Sequence, residues 1–325
     1  MHFDLPLGLF WNRTRRNIVG TDFLPELEAG DVGLLGVAIY VEDKYLPDQA
    51  LRVALDQVAI LHTEVEATSR LMLCRSFTDI QRAQAEGRIG FILTMEGAEP
   101  LDHDPYLLQI FHQLGLRMLS LTHARTNAAA SGGIFAAAGS PPDGLTTFGR
   151  ELVAECDGLG ILLDLAHINA AGFEEICTLT NRPVIVSHTN VRRFYDVERN
   201  ITDNQIKMIG ARDGVVGINA ILVSPNKEEA TLDRYIEHIE HVANLIGIDG
   251  VGIGFDFCEF LWHQMPAAEL EELEAKLTRP QFLAELSNHS DARNLTRKLI
   301  ERGFNDEEIT KILRGNWLRV LQQAL

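Results

Sequence analysis

ILLDLAHINAAGFEEICTLTNRPVIVSH, residues 161–188, decides how this chain is read. It holds two short apolar runs, 161–166 and 183–187, and each stops at a histidine, His167 and His188. A continuous run of Ile, Leu and Val of this length reads as a strand buried on both faces. A histidine at the end of such a strand leaves the packed interior and faces whatever lies at the strand's C-terminal end. Two consecutive strands that finish this way aim two imidazoles at one place. Converging neutral imidazoles suit a transition-metal ion, most often zinc. Either histidine alone would be read as a core residue bonded to backbone carbonyls; the pair, with the rest of the chain, favours the metal.

Outward from this stretch, strands are expected to begin near residues 1, 34, 90, 117, 161, 183, 215 and 251, with helical segments between them. One helix spans about 47–74, another 231–246. His238 and His241 on the latter are expected at its surface or against a partner. Residues 124–145 read as a long functional loop. From 257 to 325 the pattern is helical, with segments near 267–276, 279–286, 290–302 and 306–323. Eight alternations mean a parallel sheet and suggest a (β/α)8 TIM barrel. The expected organisation is a single domain, 1–325, with 257–325 a helical extension packed on the barrel. A doubly wound open sheet is the rival, but no Gly-rich phosphate loop follows the first strand, and Gly252-Ile253-Gly254 lies inside a strand.

Composition narrows the function classes. The chain has 325 residues, 46% hydrophobic and 23% charged, with a formal net charge of −17. That charge argues against nucleic acid, whose phosphates need clustered Lys and Arg. The four cysteines show no CxxC spacing and read as reduced thiols. The first residues carry no signal-peptide pattern, and no apolar run is long enough to span a bilayer. The expectation is a cytoplasmic protein without a membrane partner.

Active sites of barrel enzymes sit at the C-terminal ends of the strands. Here those ends carry His2 and Asp4, Glu96, His123, His167, His188, Asn219 and Asp256. His2 and Asp4, two apart, share a face of an extended segment. Five candidate ligands, His2, Asp4, Glu96, His167 and His188, exceed the three of a mononuclear hydrolytic zinc and fit two ions. His2 and Asp4 would hold one, His167 and His188 the other, with Glu96 and a water or hydroxide bridging. Asp256 remains to move the proton. His123 would face the oxygen that gains charge, and Arg199 can fork onto a carboxylate. Hydrolysis of a small acid-bearing amide is the natural reaction.

Several motifs together resemble the renal, or membrane, dipeptidase family. They are His2-Phe3-Asp4-Leu5-Pro6, Met95-Glu96-Gly97, Leu121-Thr122-His123, Phe148-Gly149-Arg150-Glu151 and Asp164-Leu165-Ala166-His167. They continue with Val186-Ser187-His188, Arg199-Asn200, Gly252-Ile253-Gly254 with Asp256, and Gly315-Asn316. The resemblance covers nearly the whole chain. It implies a binuclear zinc dipeptidase with His2, Asp4 and Glu96 on one zinc and Glu96, His167 and His188 on the other. It further implies substrate contacts from His123 and Arg199, Arg199 on the C-terminal carboxylate. Asp256 would work with the bridging water and the substrate's free amine. A D-residue at the C-terminal position and a homodimer are also implied. The chain departs from the family where only Met1 precedes His2, where Cys258 replaces an aspartate, and across 259–280. The alternatives are an amidohydrolase or lactonase on a non-peptide carboxylate-bearing substrate, and a non-catalytic metal-binding barrel.

Overall fold

The computed structural model describes residues 1–133, 144–276 and 281–325. Eight strands form one parallel sheet: β1 Leu34–Tyr40, β2 Leu71–Leu73, β3 Ile89–Glu96, β4 Leu116–Ser120, β5 Leu162–Asp164, β6 Val184–Thr189, β7 Val215–Asn219 and β8 Val251–Phe255. The sheet order is β1-β3-β4-β5-β6-β7-β8, with β2 against β3. Helices alternate with the strands, as parallel pairing requires. The open, doubly wound alternative falls away, because β1 and β8, the two ends of that order, are joined through residues 1–3.

Residues 1–3 take the place of a regular strand. Phe3 bridges Val37 in parallel, and its carbonyl accepts from the Ala38 N–H at 3.0 Å. The Met1 amine donates to the Ile253 carbonyl at 2.6 Å. These bonds reach β1 on one side and β8 on the other, so a short segment completes the ring. It cannot run on as a strand, because Asp4 already stands at the N-cap position of the helix Leu5–Trp11 and Pro6 sits in its first turn, where a missing N–H costs nothing.

Alternate residues of each strand serve two cores. Leu163, Val184, Val186 and Val216 face the surrounding helices. Met118, Leu162, Ile185 and Val215 face inward. Both faces are therefore apolar, which is why the runs read as continuous. Trp317, Val320 and Leu321, on the helix Asn316–Ala324, join the inner cluster. A Cβ on Gly252 would fall 2.6 Å from the Trp317 ring nitrogen, so glycine is what admits the indole. Asn316 donates to the carbonyls of Ile248 and Val251, at the N-terminal end of β8. The end of the chain thus plugs the lower mouth of the barrel and leaves the opposite rim for chemistry.

Two expectations need correcting, and a third is decided. The long helix 47–74 stops at Glu66, and Leu71–Leu73 turns back as β2 to pair with the start of β3. Of the expected helix 279–286, residues 279–280 lie outside the described residues; from 281 on, Leu283 and Leu286 form an antiparallel bridge that buries both leucines. For His238, expected at the surface or against a partner, the structure gives the second: it is fully buried, its ring 4.8 Å from the Phe194 ring. Its Nδ1 accepts from the Val191 N–H and its Nε2 donates to the Val223 carbonyl, both at 2.9 Å, so both ring nitrogens are satisfied in the core. His241 is half-buried, 2.8 Å from Asp203. Within the expected loop 124–145, residues 134–143 lie outside the described residues.

Candidate metal centre

Every candidate taken from the strand ends lies at the C-terminal rim. Glu96 is the last residue of β3, His188 lies within β6, and Asp256 follows β8 directly. His123 and His167 each stand three residues beyond their strands, later than the apolar runs imply. His167 and Asp256 have φ of 66° and 62°, in the left-handed region that non-glycine residues enter rarely. Such turns swing the side chain back over the barrel mouth, and they concentrate at functional sites.

Glu96 lies at the middle. Its Oε1 is 2.9 Å from His167 Nε2, 3.3 Å from His188 Nε2 and 3.7 Å from His2 Nε2. His2 Nε2 is 3.5 Å from Asp4 Oδ1. The Nε2 atoms of His167 and His188 approach to 3.0 Å. Asp4 makes no side-chain capping bond to its helix, so its carboxylate is free for other use. The site residues fall into three ligand sets: His2, Asp4 and Glu96; Glu96, His167 and His188; and His2, His188 and Asp256. Asp256 is the most distant, 3.9 Å from both His2 and His188, and Asn219 donates to its Oδ2 at 2.9 Å. It therefore borders both other sets.

These groups fit cations. His2 Nε2, Asp4 Oδ1 and Glu96 Oε1 are buried with no hydrogen-bond partner among the described residues. Orphaned buried polar atoms are costly, and three on one spot call for a shared positive charge. The titration of the protein's own groups says the same. Burial pushes Glu96 up to about 8, a shift His2 only partly offsets. Burial likewise raises Asp256 to about 6. Burial opposes charge on His2, but Glu96, Asp4 and Asp256 overcome it and lift it to about 9. Burial, then neighbouring cations, holds His123, His167 and His188 well below the ordinary histidine value. Neutral imidazoles are the form that binds a metal.

Arg199 comes from the loop after β6 and is buried. Its Nη2 donates to the His188 carbonyl at 2.8 Å, while Nη1 is buried without a partner among the described residues. The His123 ring packs 4.4 Å from the His167 ring and 4.5 Å from the Tyr40 ring. Arg125 donates to the Tyr40 hydroxyl at 3.0 Å. Sequence reasoning missed Tyr40, and it named Asp164 in a motif and Asn219 on the rim without giving either a role. Asp164 had a visible signal: it is the one charged residue inside the apolar run 161–166.

A parallel barrel with a buried cluster of histidines and carboxylates at its C-terminal rim is the design of a metal-dependent hydrolase. The family described as membrane dipeptidase, peptidase family M19, matches residues 1–325, and the chain belongs to it. That is a family of metallo-dipeptidases. The chain is similar to the dipeptidase verJ of Clonostachys rogersoniana, 29% identical over 277 residues, or 85% of this chain and 66% of that protein. It thus spans about two thirds of that relative's length. Its fold matches the crystal structure of dipeptidase AC, a metallopeptidase of family M19, with a TM-score of 0.85 and 28% identity over 99% of this chain and 97% of the other. It also matches a metallopeptidase from Rhodobacter sphaeroides bound to a phosphinate mimic of the dipeptide L-Ala-D-Ala, with a TM-score of 0.84 and 26% identity over 100% and 98%. No helix among the described residues is long and apolar enough to cross a membrane.

Proposed function

We propose that this chain is a binuclear zinc dipeptidase acting on small dipeptides with a free amine and a free C-terminal carboxylate. The observation that carries the reading is the meeting of His2, Asp4, Glu96, His167 and His188 from four parts of the chain, with orphaned ligand atoms at the centre. His2, Asp4 and Glu96 would hold one ion, and Glu96, His167 and His188 the other. Bound there, zinc would supply Lewis acidity to the scissile carbonyl and make water a nucleophile near neutral pH.

The chain's own groups do the rest. Asp256 accepts the proton of the attacking water and passes it to the leaving amine. Asn219 donates to its Oδ2 at 2.9 Å and fixes its orientation. Arg199 offers its unpartnered N–H groups to the substrate carboxylate. His123, neutral and donor-capable, faces the carbonyl oxygen as it gains charge. The L-Ala-D-Ala mimic held by the Rhodobacter sphaeroides relative supports a D-residue at the C-terminal position. The same reading takes the chain as one domain, working as a homodimer in the cytoplasm, with neither nucleic acid nor membrane as partner.

The test pairs metal counting with turnover. Anomalous scattering at the zinc edge should locate two ions per chain between the named residues, and L-Xaa–D-Ala dipeptides should be cleaved. His188→Ala should lose both metal and turnover. A protein that loads two ions yet cleaves N-acylated dipeptides as fast as free-amine ones would be an amidohydrolase instead, and one that takes up no zinc is no enzyme of this kind.

A further inference from the structure

We infer that Asp164 is a positioning residue for both ligand histidines, acting through the backbone that carries them. It closes β5, and its buried Oδ1 accepts two N–H groups, from Ala166 at 3.1 Å and from Ser187 at 2.8 Å. Ala166 immediately precedes His167, and Ser187 immediately precedes His188. One oxygen therefore ties together the two backbones whose next side chains meet at Glu96. The inference rests on the metal-centre reading given above.

The surroundings explain why a clamp is needed here. β5 pairs with β6 only at Leu163↔Val184 and Asp164↔Ile185, so the ladder has ended where the histidines begin. β6 then breaks register with β7. Val186 pairs with Val216 and Thr189 with Ile218, leaving Ser187 and His188 opposite Gly217 alone. Bulges of this kind re-aim side chains beside active sites. The bulge sinks toward its neighbours: a Cβ on Gly217 would fall 2.0 Å from the Ser187 carbonyl oxygen, and one on Gly254 would fall 2.8 Å from His188 Cα. Those glycines give the bulge room, and room alone fixes no direction. Asp164 supplies the fixed point, standing in for the missing ladder acceptors. Ser187 adds a second restraint through its Oγ, 2.7 Å from His188 Nδ1. A partner on Nδ1 leaves Nε2 as the ligand nitrogen.

A merely structural aspartate would lower stability and leave the folded protein's metal affinity alone. The experiment therefore measures zinc dissociation constants by chelator competition, and the visible spectrum of cobalt-substituted protein, on samples with wild-type circular dichroism. Asp164→Asn keeps an acceptor oxygen and should bind zinc nearly as tightly as wild type, with the same cobalt bands. Asp164→Ala should bind about 10- to 100-fold more weakly, with shifted bands. Equal affinity in wild type and Asp164→Ala overturns the clamp, as does an equal loss in Asp164→Asn. Should the alanine variant not fold, Asp164→Glu, which moves the oxygens by one methylene, must weaken binding, and an unchanged affinity again overturns it. Failure of the wild type to take up either metal overturns this inference together with the metal centre, whereas a loaded wild type and an equally loaded alanine variant remove the clamp only.

Discussion

Replacing Arg199 with glutamine should turn a carboxylate-selective enzyme into an indifferent one. The guanidinium has two jobs that the structure separates. Nη2 is committed to the His188 carbonyl at 2.8 Å, and Nη1 is buried with no partner among the described residues. A buried cationic donor left open is an expense that only an incoming acceptor relieves. A charge-assisted hydrogen bond contributes about 1.5–3 kcal/mol. At about 1.4 kcal/mol per factor of ten, its loss raises KM by roughly 12- to 140-fold. Glutamine keeps an N–H donor for the His188 carbonyl and removes the charge. The assay compares a dipeptide with its C-terminal amide on both proteins, after zinc analysis confirms equal metal content. Wild type should disfavour the amide by about the factor just given, and Arg199→Gln should lose that discrimination, with kcat changed far less than KM. Retained discrimination in Arg199→Gln, or a fall in kcat at unchanged KM, would refute the argument, because the open donor would then serve the chemistry or nothing at all.

Two further outcomes follow from the same geometry. Asp256→Asn keeps the shape and removes the proton acceptor, so kcat should drop by about 10²- to 10⁴-fold while zinc content stays at the wild-type level; steady-state kinetics with metal analysis checks this, and an active Asp256→Asn protein would assign the proton transfer elsewhere. Burial lowers His238 to about 4 from its ordinary 6.5. The unfolded chain therefore binds more protons between those values, so this histidine's contribution to stability is complete above pH 6.5 and falls as pH drops toward 4, by about 3 kcal/mol at pH 4. Denaturant titrations from pH 7 to 4 should show a flatter decline in His238→Gln than in wild type, and parallel curves would exclude His238 as a source of acid sensitivity.

How far the site could be read in advance depends on the distance over which each interaction acts. The apolar runs that stop at Glu96, His167, His188 and Asp256 are local patterns, and each of these residues lies on the rim as the runs imply. The segment 1–3 is also recognisable, although it joins the barrel through single bonds to Ala38 and Ile253. β2 was hidden, because Leu71–Leu73 is too short to show a period and continues the apolar spacing of the helix before it. His238 was left between surface and partner for a related reason. A histidine on an amphipathic helix reads as polar, and only the approach of Val191 and Val223 from other elements supplies the partners that bury it. Asn219 acts on a group 37 residues away, and Asp164 joins a group two residues away to one 23 residues away, so the charge inside the run marks Asp164 but not the second backbone it holds.

By itself the chain's order of residues determined the alternation of strands and helices, the barrel, and the set of side chains gathered at its rim. Those follow from side-chain period and from the rule that parallel strands present their C-terminal ends together. Which atoms meet was decided only by tertiary structure. The left-handed turns at His167 and Asp256, the bulge at Ser187–His188 seated over Gly217 and Gly254, and the shared Asp164 oxygen all depend on neighbours far away in sequence. Pattern is a property of successive residues, whereas a ligand sphere is defined to within fractions of an ångström by groups that approach one another only after the sheet has curled.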